Sequence, residues 1–530
     1  MTTPKVIGEV LRQRAREHQE QRYLWSSDEQ ITYGEMDQRS DSVAAGLAGI
    51  GVGPGDRVAI IASNRMEMIE LFFAVAKLGA VQVPLNAFLK GEFLRYQLHD
   101  SEAETLVVDA SGAQAVDPVI QDLPALRRLV TLDPGSDRPA SMDVIPYEAV
   151  RNETRPPPQA DPQPDTLMSI LYTSGTTGMP KGCMLPHGWY INGATVSSEM
   201  VEYGEGDVPF TAMPLFHAWA QGTVVGAMVH HLRAVVDPVF SISNLLERFI
   251  ETDATVFMGV GMMGLAMLSA PPSDRDRQHR LRVALMFPFT PEQQAQFEAR
   301  FGAKVMTQLY GQTECGAIAY SRISEPRNLA SLGRPAPYFE VKLFDDDDRE
   351  VPIGEVGEIV VRPNVPNAMY QGYWRKPEDT LATWRNLWHH TGDYGRADAE
   401  GFITFVDRKK DALRRRGENV SSIEVERAIV THPKIAEVAV HAVPSEMSED
   451  DIKACLVLEP GQTVEPDELF GFFKETLPYF AIPRYVEVMP ELPKNATLRV
   501  MKHLLRERGV SDETWDFDAL GLSVEKAERR

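Results

Sequence analysis

The sequence predicts an α/β protein of at least two domains, a larger N-terminal one and a compact C-terminal one. Three observations lead there. The chain has 530 residues, more than one hydrophobic core ordinarily serves. Strand-like and helix-like stretches alternate between Arg57 and Val108 at the spacing of parallel βαβ units. A second, smaller alternation of both element types follows Ser422.

Hydrophobic periodicity sets the individual elements. Ile7, Val10, Leu11 and Ala15 share one face of a helix expected over 7–18. After the Gly53-Pro54-Gly55-Asp56 turn come a strand at 57–62, a helix at 66–78 and a strand at 80–83. A helix near 91–99 and a strand at 105–108 repeat the unit. Residues 151–165 hold Pro156, Pro157, Pro158, Pro162 and Pro164 and read as an extended connector, which delivers the chain to an apolar strand at 166–171. A helix at 189–201 and strands at 254–260, 281–287, 341–344 and 358–362 continue the pattern. The acidic run from Asp345 to Asp348 falls between the last two strands and reads as a solvated turn rather than a metal site. Beyond Ser422 the expectation is a helix at 423–429, strands at 438–443 and 452–458, a helix at 465–477 and a strand at 485–488.

Composition narrows the class. With 43% apolar and 25% charged residues, the chain is an ordinary globular protein. A net charge of −22 argues against nucleic acid or an anionic membrane as partner, though not against an anionic ligand in a locally basic site. Cys183, Cys315 and Cys455 lack metal-ligand spacing and suit reduced thiols in a cytoplasmic protein. The first 21 residues are charged rather than apolar, unlike a signal peptide. No run approaches the length of a membrane span. Oligomeric state is left open.

The most informative stretch is Leu171-Tyr172-Thr173-Ser174-Gly175-Thr176-Thr177-Gly178-Met179-Pro180-Lys181-Gly182. Glycines free backbone N–H groups to turn toward an anion, hydroxyls add donors and the lysine adds a mobile charge. It reads as a phosphate cradle. It is not the Walker loop, whose Gly-Lys-Ser/Thr opens a helix: here Pro180 precedes the lysine and Gly182 follows it. A surface turn would account for a Thr-Ser-Gly fragment, but not readily for the whole stretch.

Thr173 to Gly182 resembles the phosphate-loop signature of the adenylate-forming superfamily, which comprises acyl- and aryl-CoA ligases, luciferases and peptide-synthetase adenylation domains. The resemblance runs over nearly the whole chain, about residues 5–510. Its nearest subgroup is the crotonobetaine/carnitine-CoA ligases, on Asp407-Arg408, Arg416-Gly417-Glu418-Asn419-Val420 and residues 274–281. It implies an adenylate-forming α/β fold: a large multi-sheet N-terminal domain, 1–407, binding AMP and the acyl group, and a small mobile α+β domain, 408–530, hinged at Lys410. The implied reaction joins a small-molecule carboxylic acid to ATP, giving an acyl-adenylate and pyrophosphate, and CoA then displaces AMP.

The resemblance also assigns roles. Thr173, Ser174, Gly175, Thr176, Thr177 and Lys181 would hold phosphate. In Tyr310-Gly311-Gln312-Thr313-Glu314, the aromatic would lie beside adenine, donors would meet the α-phosphate and Glu314, with Thr176, would hold Mg²⁺. Magnesium commonly binds through one carboxylate plus substrate phosphates. Asp393, in His390-Thr391-Gly392-Asp393, would accept the ribose hydroxyls, and Arg408 would contact the ribose. His217, in Met213-Pro214-Leu215-Phe216-His217, would border the acyl pocket and the CoA channel. Arg416 and Gly417 would line the pantetheine tunnel, and three consecutive arginines, Arg414 to Arg416, suit the CoA phosphates. Leu285, Met286 and Phe287 stand where many relatives carry small residues against the acyl group. Met258, Met262, Met263, Phe287 and Trp219 hint at a roomy apolar pocket, although such residues are more often core.

One residue departs from the pattern. The family's last motif is close to Pro-Lys-x-x-x-Gly-Lys-x-x-Lys, and its Gly-Lys lysine neutralises the carboxylate and α-phosphate as the adenylate forms. Here the segment reads Pro493-Lys494-Asn495-Ala496-Thr497-Leu498-Arg499-Val500-Met501-Lys502. Arg499 keeps the charge but presents a planar fork, and Leu498 cannot take the φ > 0 backbone open to glycine. Loss of one preorganised electrostatic group typically costs about 10²–10³ in rate. The other half-reaction, thiol attack on the acyl-adenylate, does not use this lysine in the family. The expectation is therefore an enzyme that forms acyl-CoA from an acyl-adenylate, with adenylation impaired and a separate adenylating enzyme supplying the adenylate. This resembles the split acyl-CoA synthetase pair of platensimycin-type biosynthesis. Alternatives are a complete ATP-dependent ligase in which Arg499, Lys494 or Lys502 suffices, a domain that loads a carrier protein, and a non-catalytic pseudoenzyme.

Overall fold

The computed structural model describes residues 6–133, 144–151, 154, 156–173, 179–409, 413–415, 418–420, 422–444, 450–477, 481–494 and 500–524. Two seven-stranded sheets dominate it. In the first, the spatial order is Val144–Pro146, Arg128–Thr131, Thr105–Val108, Arg57–Ile61, Val81–Pro84, Leu167–Thr173 and Lys181–Pro186. All neighbours are parallel except the final pair, which forms an antiparallel hairpin. The expected βαβ units are thus present, and the strand after the proline-rich connector carries the phosphate-loop segment at its end.

The second sheet runs Lys304–Met306, Val283–Leu285, Val256–Met258, Pro209–Thr211, Ala234–Val236, Arg22–Ser26 and Glu29–Thr32. The strands expected at 254–260 and 281–287 are shorter than their apolar runs. The remaining residues leave the ladder; Gly261 opens the helix Gly261–Ser269 and Met286 is buried against the outer helices.

Helices Ile7–Glu17, Tyr33–Gly49, Met66–Leu78, His187–Val201 and Ala218–Val229 share one continuous core with residues of both sheets. Met66–Leu78 is apolar on nearly all sides and correspondingly buried, as a helix enclosed by core must be. Its one buried carboxylate, Glu70, accepts hydrogen bonds from Tyr147, Arg39 and Arg151, so the charge is not left unpaired. Outer layers close each sheet: Ile242–Glu251, Gly261–Ser269 and Pro291–Phe301 on one, Gly91–Ser101 and Ala110–Val116 on the other.

Three antiparallel strands, Leu309–Gln312, Gly316–Tyr320 and Arg334–Pro335, lead into a five-stranded antiparallel sheet. The latter contains Phe339–Phe344, Val356–Pro363, Trp384–Arg385, Trp388–Ala397 and Ile403–Arg408. The acidic run lies in the turn between its first two strands, as expected. The C-terminal part is the short hairpin Leu413–Arg415/Glu418–Val420, then a four-stranded sheet of Ile435–Pro444, Asp450–Leu458, Tyr485–Val488 and Trp515–Asp516 with helices Ser422–Ile429, Pro466–Thr476 and Lys502–Arg508. It has a separate core around Val440, Leu456, Leu469 and Phe473. Among the described residues no helix is long and apolar enough to cross a membrane. The three cysteines are free and buried.

Phe210 is fully buried with its ring edge-on to Phe249, centroids 4.9 Å apart, and tilted against Phe257 at 6.2 Å. Phe210→Ala should therefore cost about 3–5 kcal/mol, seen as a lowered midpoint in urea unfolding followed by tryptophan fluorescence.

Candidate active site

The hairpin that carries the phosphate-loop segment sets Thr173 opposite Lys181, and Thr173 Oγ1 donates to the Lys181 carbonyl at 3.4 Å. The open edge of strand Lys181–Pro186 is covered by residues 371–374. Met184 N donates to the Gly372 carbonyl at 3.0 Å, Gln371 N to the Met184 carbonyl at 2.8 Å and Trp374 N to the Gly182 carbonyl at 2.7 Å. This brings Tyr373 across from Cys183. The Tyr373 hydroxyl donates to Glu314 Oε1 at 2.8 Å, and Lys181 Nζ lies 5.1 Å above the Tyr373 ring and 3.1 Å from Asp379 Oδ1. Lys181, Tyr373 and Glu314 therefore form one continuous wall. Burial and the neighbouring Glu314 charge push the Cys183 thiol up, so it stays protonated and is no nucleophile.

Glu314 follows strand Leu309–Gln312 in a tight turn back to Gly316–Tyr320. Gly311 is required there: a Cβ at this position would sit 2.1 Å from the Gly316 carbonyl oxygen. From this strand Tyr310 OH and Gln312 Nε2 converge on Asp393 Oδ2, at 2.7 and 3.0 Å. Gln312 Nε2 also donates to the Thr391 carbonyl at 2.8 Å, and its amide oxygen faces His389 Nε2 at 3.3 Å. Burial drives the His389 imidazole down to about 3, so the ring is neutral and donates through Nε2 to that oxygen.

Asp393 is 3% exposed. It stands on strand Trp388–Ala397 directly opposite Arg408, whose Nε is 3.3 Å from Oδ1. Oδ1 has no hydrogen-bond partner among the described residues. A buried carboxylate oxygen without a donor is costly, and this one, beside a guanidinium, is suited to accept from a ligand hydroxyl. The residues present thus fit a ribose next to Tyr310 and Arg408, and a phosphate-bound cation next to Glu314.

Glu358, on strand Val356–Pro363, backs this cluster. Its Oε1 accepts from Gly392 N at 3.1 Å, and its Oε2 lies 3.1 Å from His390 Nδ1 and 3.0 Å from Lys409 Nζ. Burial pushes the carboxyl up, but hydrogen bonds from His390 and Lys409 and the Lys409 charge overcome it and bring it down to about 2.

Of the acyl-pocket candidates, Trp219 and Phe287 come together edge-to-face with centroids 5.3 Å apart. His217 N-caps the helix Ala218–Val229 by position without a side-chain cap bond, packs its ring 4.6 Å from Phe216 and is lowered by burial, hence neutral. Met258 is buried in the central core. Met262 is 58% exposed, and Met263 packs into the outer layer with Phe257 and Phe289. The departure from small residues falls on Phe287, since Leu285 and Met286 turn into the two cores on either side of the sheet.

Thr173, Lys181, Tyr310, Gly311, Gln312, Thr313, Glu314, Asp393, Arg408 and His217 are all described. Ser174, Gly175, Thr176, Thr177, Lys410, Arg416, Gly417, Leu498 and Arg499 lie outside the described residues. Sequence reasoning did not single out Tyr373, Asp379, His389 or Glu358; the aromatic and glycine cluster Tyr370-Gln371-Gly372-Tyr373-Trp374 was the available signal for the first. Glu17, His18 and His231 also gather, with His18 Nε2 and His231 Nδ1 2.6 Å apart, but Gln13 and Arg14 already occupy both Glu17 oxygens.

Comparison with known proteins agrees with this geometry. The profile described as "AMP-binding enzyme" matches residues 11–374, and that described as "AMP-binding enzyme C-terminal domain" matches residues 424–498. The chain belongs to the AMP-binding enzyme family. It is an adenylate-forming enzyme of the acyl-CoA ligase type. The crotonobetaine/carnitine–CoA ligase of Escherichia coli O9:H4 (strain HS) is 32% identical over 483 residues, covering 90% of this chain and 93% of that one. Among solved structures, the anthranilate CoA ligase AuaEII in complex with anthranoyl-AMP superposes with a TM-score of 0.83 at 25% identity, covering 96% of this chain and 98% of that one. ATP-bound MatB from Rhodopseudomonas palustris gives 0.83 at 26% identity, covering 95% and 99%. The o-succinylbenzoate CoA synthetase of Bacillus subtilis with its acyl-adenylate gives 0.81 at 27% identity, covering 94% and 97%.

Two outcomes are expected for this AMP-binding enzyme. Gly311→Ala should lose about 1–3 kcal/mol of stability through overpacking against the facing strand, together with AMP binding, both measurable by thermal shift with and without AMP. The Glu358 carboxyl, depressed from 4.5 to about 2, contributes stability that is fully present above about 4.5 and lost as pH falls through about 2. Glu358→Gln should therefore narrow the stability difference between pH 5 and pH 3 in urea titrations at the two pH values.

Proposed function

We propose that this chain makes acyl-CoA from an acyl-adenylate and CoA, that its own adenylation step is impaired, and that a separate enzyme supplies the adenylate. Leu498-Arg499 in place of Gly-Lys motivates the reading. The observation that carries it is the state of the two lysines that flank the replacement. Lys494 Nζ is 2.6 Å from Glu437. Lys502 Nζ is 2.7 Å from Glu426 and 2.6 Å from Ser422 Oγ, with its side chain only 15% exposed. Burial pushes the Glu426 carboxyl up against the pull of Lys502, so withdrawing the lysine would strand a buried acid. Lys502 is thus committed elsewhere, and Lys494 is already paired, at a partly exposed site.

The cofactors are ATP or AMP (as the acyl-adenylate), CoA and Mg²⁺, the last supplying charge neutralisation at phosphate when bound. Asp393 Oδ1 accepts the ribose hydroxyls, Arg408 fixes Asp393 and meets the same sugar, and Tyr310 flanks the adenine. Lys181, Thr173 and the intervening loop, Ser174 to Thr177, hold phosphate, and Glu314 with Thr176 holds the metal. His217, Trp219 and Phe287 border the acyl group. The small domain, 408–530, turns about Lys410 to bring Arg416 and Gly417 to the pantetheine arm. The CoA sulfur then attacks the acyl carbonyl, the C–S bond forms, and the bond to the phosphate oxygen breaks with its electron pair leaving on AMP. The thiol proton goes to solvent. This step needs mainly positioning and charge stabilisation, and its residues are intact. The 32% identity to a crotonobetaine/carnitine–CoA ligase supports that subgroup within the family.

A complete ATP-dependent ligase is the second reading, favoured by the intact Lys181, Glu314 and Asp393. One purified sample decides between them. Pyrophosphate release from ATP with a panel of acids is measured beside CoA-ester formation from synthetic acyl-adenylates. Thioester without pyrophosphate is expected; robust pyrophosphate release would overturn the split reading, and inertness in both would favour a pseudoenzyme. The double variant Leu498→Gly/Arg499→Lys should raise pyrophosphate release by about 10²–10³. Asp393→Asn should weaken AMP binding by about 10–100-fold, the loss of a charge-assisted hydrogen bond, in calorimetric titration.

A further inference from the structure

We propose that Glu358 is a positioning residue that locks Lys409 to the large domain, so that rotation is confined to Lys410 while the Asp393 turn stays fixed. The inference rests on the hinge in the proposed function but is argued from geometry the sequence did not disclose.

A single carboxylate, 4% exposed, takes hold of two segments at once. Its Oε1 accepts the N–H of Gly392, the residue before Asp393, at 3.1 Å. Its Oε2 accepts from Lys409 Nζ, the residue before the hinge, at 3.0 Å. The backbone repeats the link, for Lys409 N donates to the Gly392 carbonyl at 2.9 Å. Lys409 Nζ is further paired with Asp346 at 2.8 Å and lies 5.8 Å over the Tyr394 ring. His390 closes the remaining side of Oε2. The strand pairing is irregular between Glu358 and Val360, and such irregularities re-aim side chains within a sheet.

The consequence is mechanical. Lys409 is held by two carboxylates, a ring face and a backbone hydrogen bond. A torque applied by the small domain meets a fixed point at Lys409 and is absorbed at the next residue. Since Gly392 is anchored by the same carboxylate, the ribose acceptor Asp393 does not follow the swing, and an acyl-adenylate stays in place between steps. A buried ion pair seldom outperforms apolar packing for stability alone, so its use at this junction is accounted for by position.

The test separates the two arms of the carboxylate. Glu358→Gln keeps an oxygen for Gly392 N–H and removes the charge that holds Lys409; Glu358→Ala removes both. Limited trypsin digestion of the full chain, read by intact-mass spectrometry, reports cleavage after Lys409 and Lys410, and calorimetry reports AMP affinity. Glu358→Gln should raise cleavage there about tenfold with cutting elsewhere unchanged, which a general loss of stability would not do. Glu358→Ala should do the same and also weaken AMP binding about tenfold. In a double-mutant cycle, Glu358→Gln with Lys409→Gln should cut after Lys410 no faster than either single variant. Wild-type cleavage in Glu358→Gln, or additive effects in the pair, would overturn the inference. Neither readout needs an acyl substrate, so failure of thioester formation from acyl-adenylates would sink the proposed function and leave this one standing.

Discussion

A carboxylate buried to 3% exposure has to be held by donors, and the site is built outward from that requirement at Asp393. Tyr310 and Gln312 come from one strand, Arg408 from another, and each is aimed by its own ladder. Once these groups are committed to Oδ2 and to the flank of Oδ1, the opposite end of the Tyr310–Glu314 turn is committed too, because the strand reverses between Gly311, where no side chain fits, and Gly316, whose φ is positive. Glu314 then meets Tyr373, and Tyr373 meets Lys181. One buried charge thus orders groups from five segments of the chain.

The same chain is strongly acidic, and several cations among the described residues are already paired. Lys181 is shared with Asp379, Arg408 with Asp393 and Lys409 with Glu358 and Asp346. In the C-terminal part Lys494 and Lys502 are held by Glu437 and Glu426. A site that must neutralise a carboxylate and a phosphate together cannot borrow charge from such neighbours without stranding their partners. On the proposed reading this is the reason the identity of residue 499 bears on the adenylation step more than on thiol attack, which asks for a positioned carbonyl rather than a mobile ammonium.

Much of the fold was legible in the sequence where local pattern and burial agree. The helix Met66–Leu78 and the strands Thr105–Val108 and Tyr485–Val488 sit where their apolar periods put them, whereas the strand Lys181–Pro186 that pairs back on Leu167–Thr173 was not read from the sequence. The strands Val256–Met258 and Val283–Leu285 fell short of their apolar runs because the following residues are equally apolar for another reason, the outer helical layer. Met263 joined the outer core, the commoner fate of such a residue, since side-chain type does not say which face of the sheet a residue meets. His389 and Glu358 gave no usable signal, for each acts through partners more than twenty residues distant in sequence; Tyr373 had only the aromatic and glycine cluster around it.

What the sequence by itself determined is the chemistry on offer: a hydroxyl- and glycine-rich loop closed by Lys181, an aromatic-to-carboxylate turn at 310–314, an acid at 393 and an arginine where a lysine is usual. These are properties of short segments, fixed by residue type and spacing. Only the tertiary structure decided which oxygen of Asp393 is satisfied and which is left to accept, which lysines are already paired, and that Glu358 joins the Gly392–Asp393 turn to Lys409. Those depend on strand register and on burial, and both are set by contacts between segments far apart in the chain.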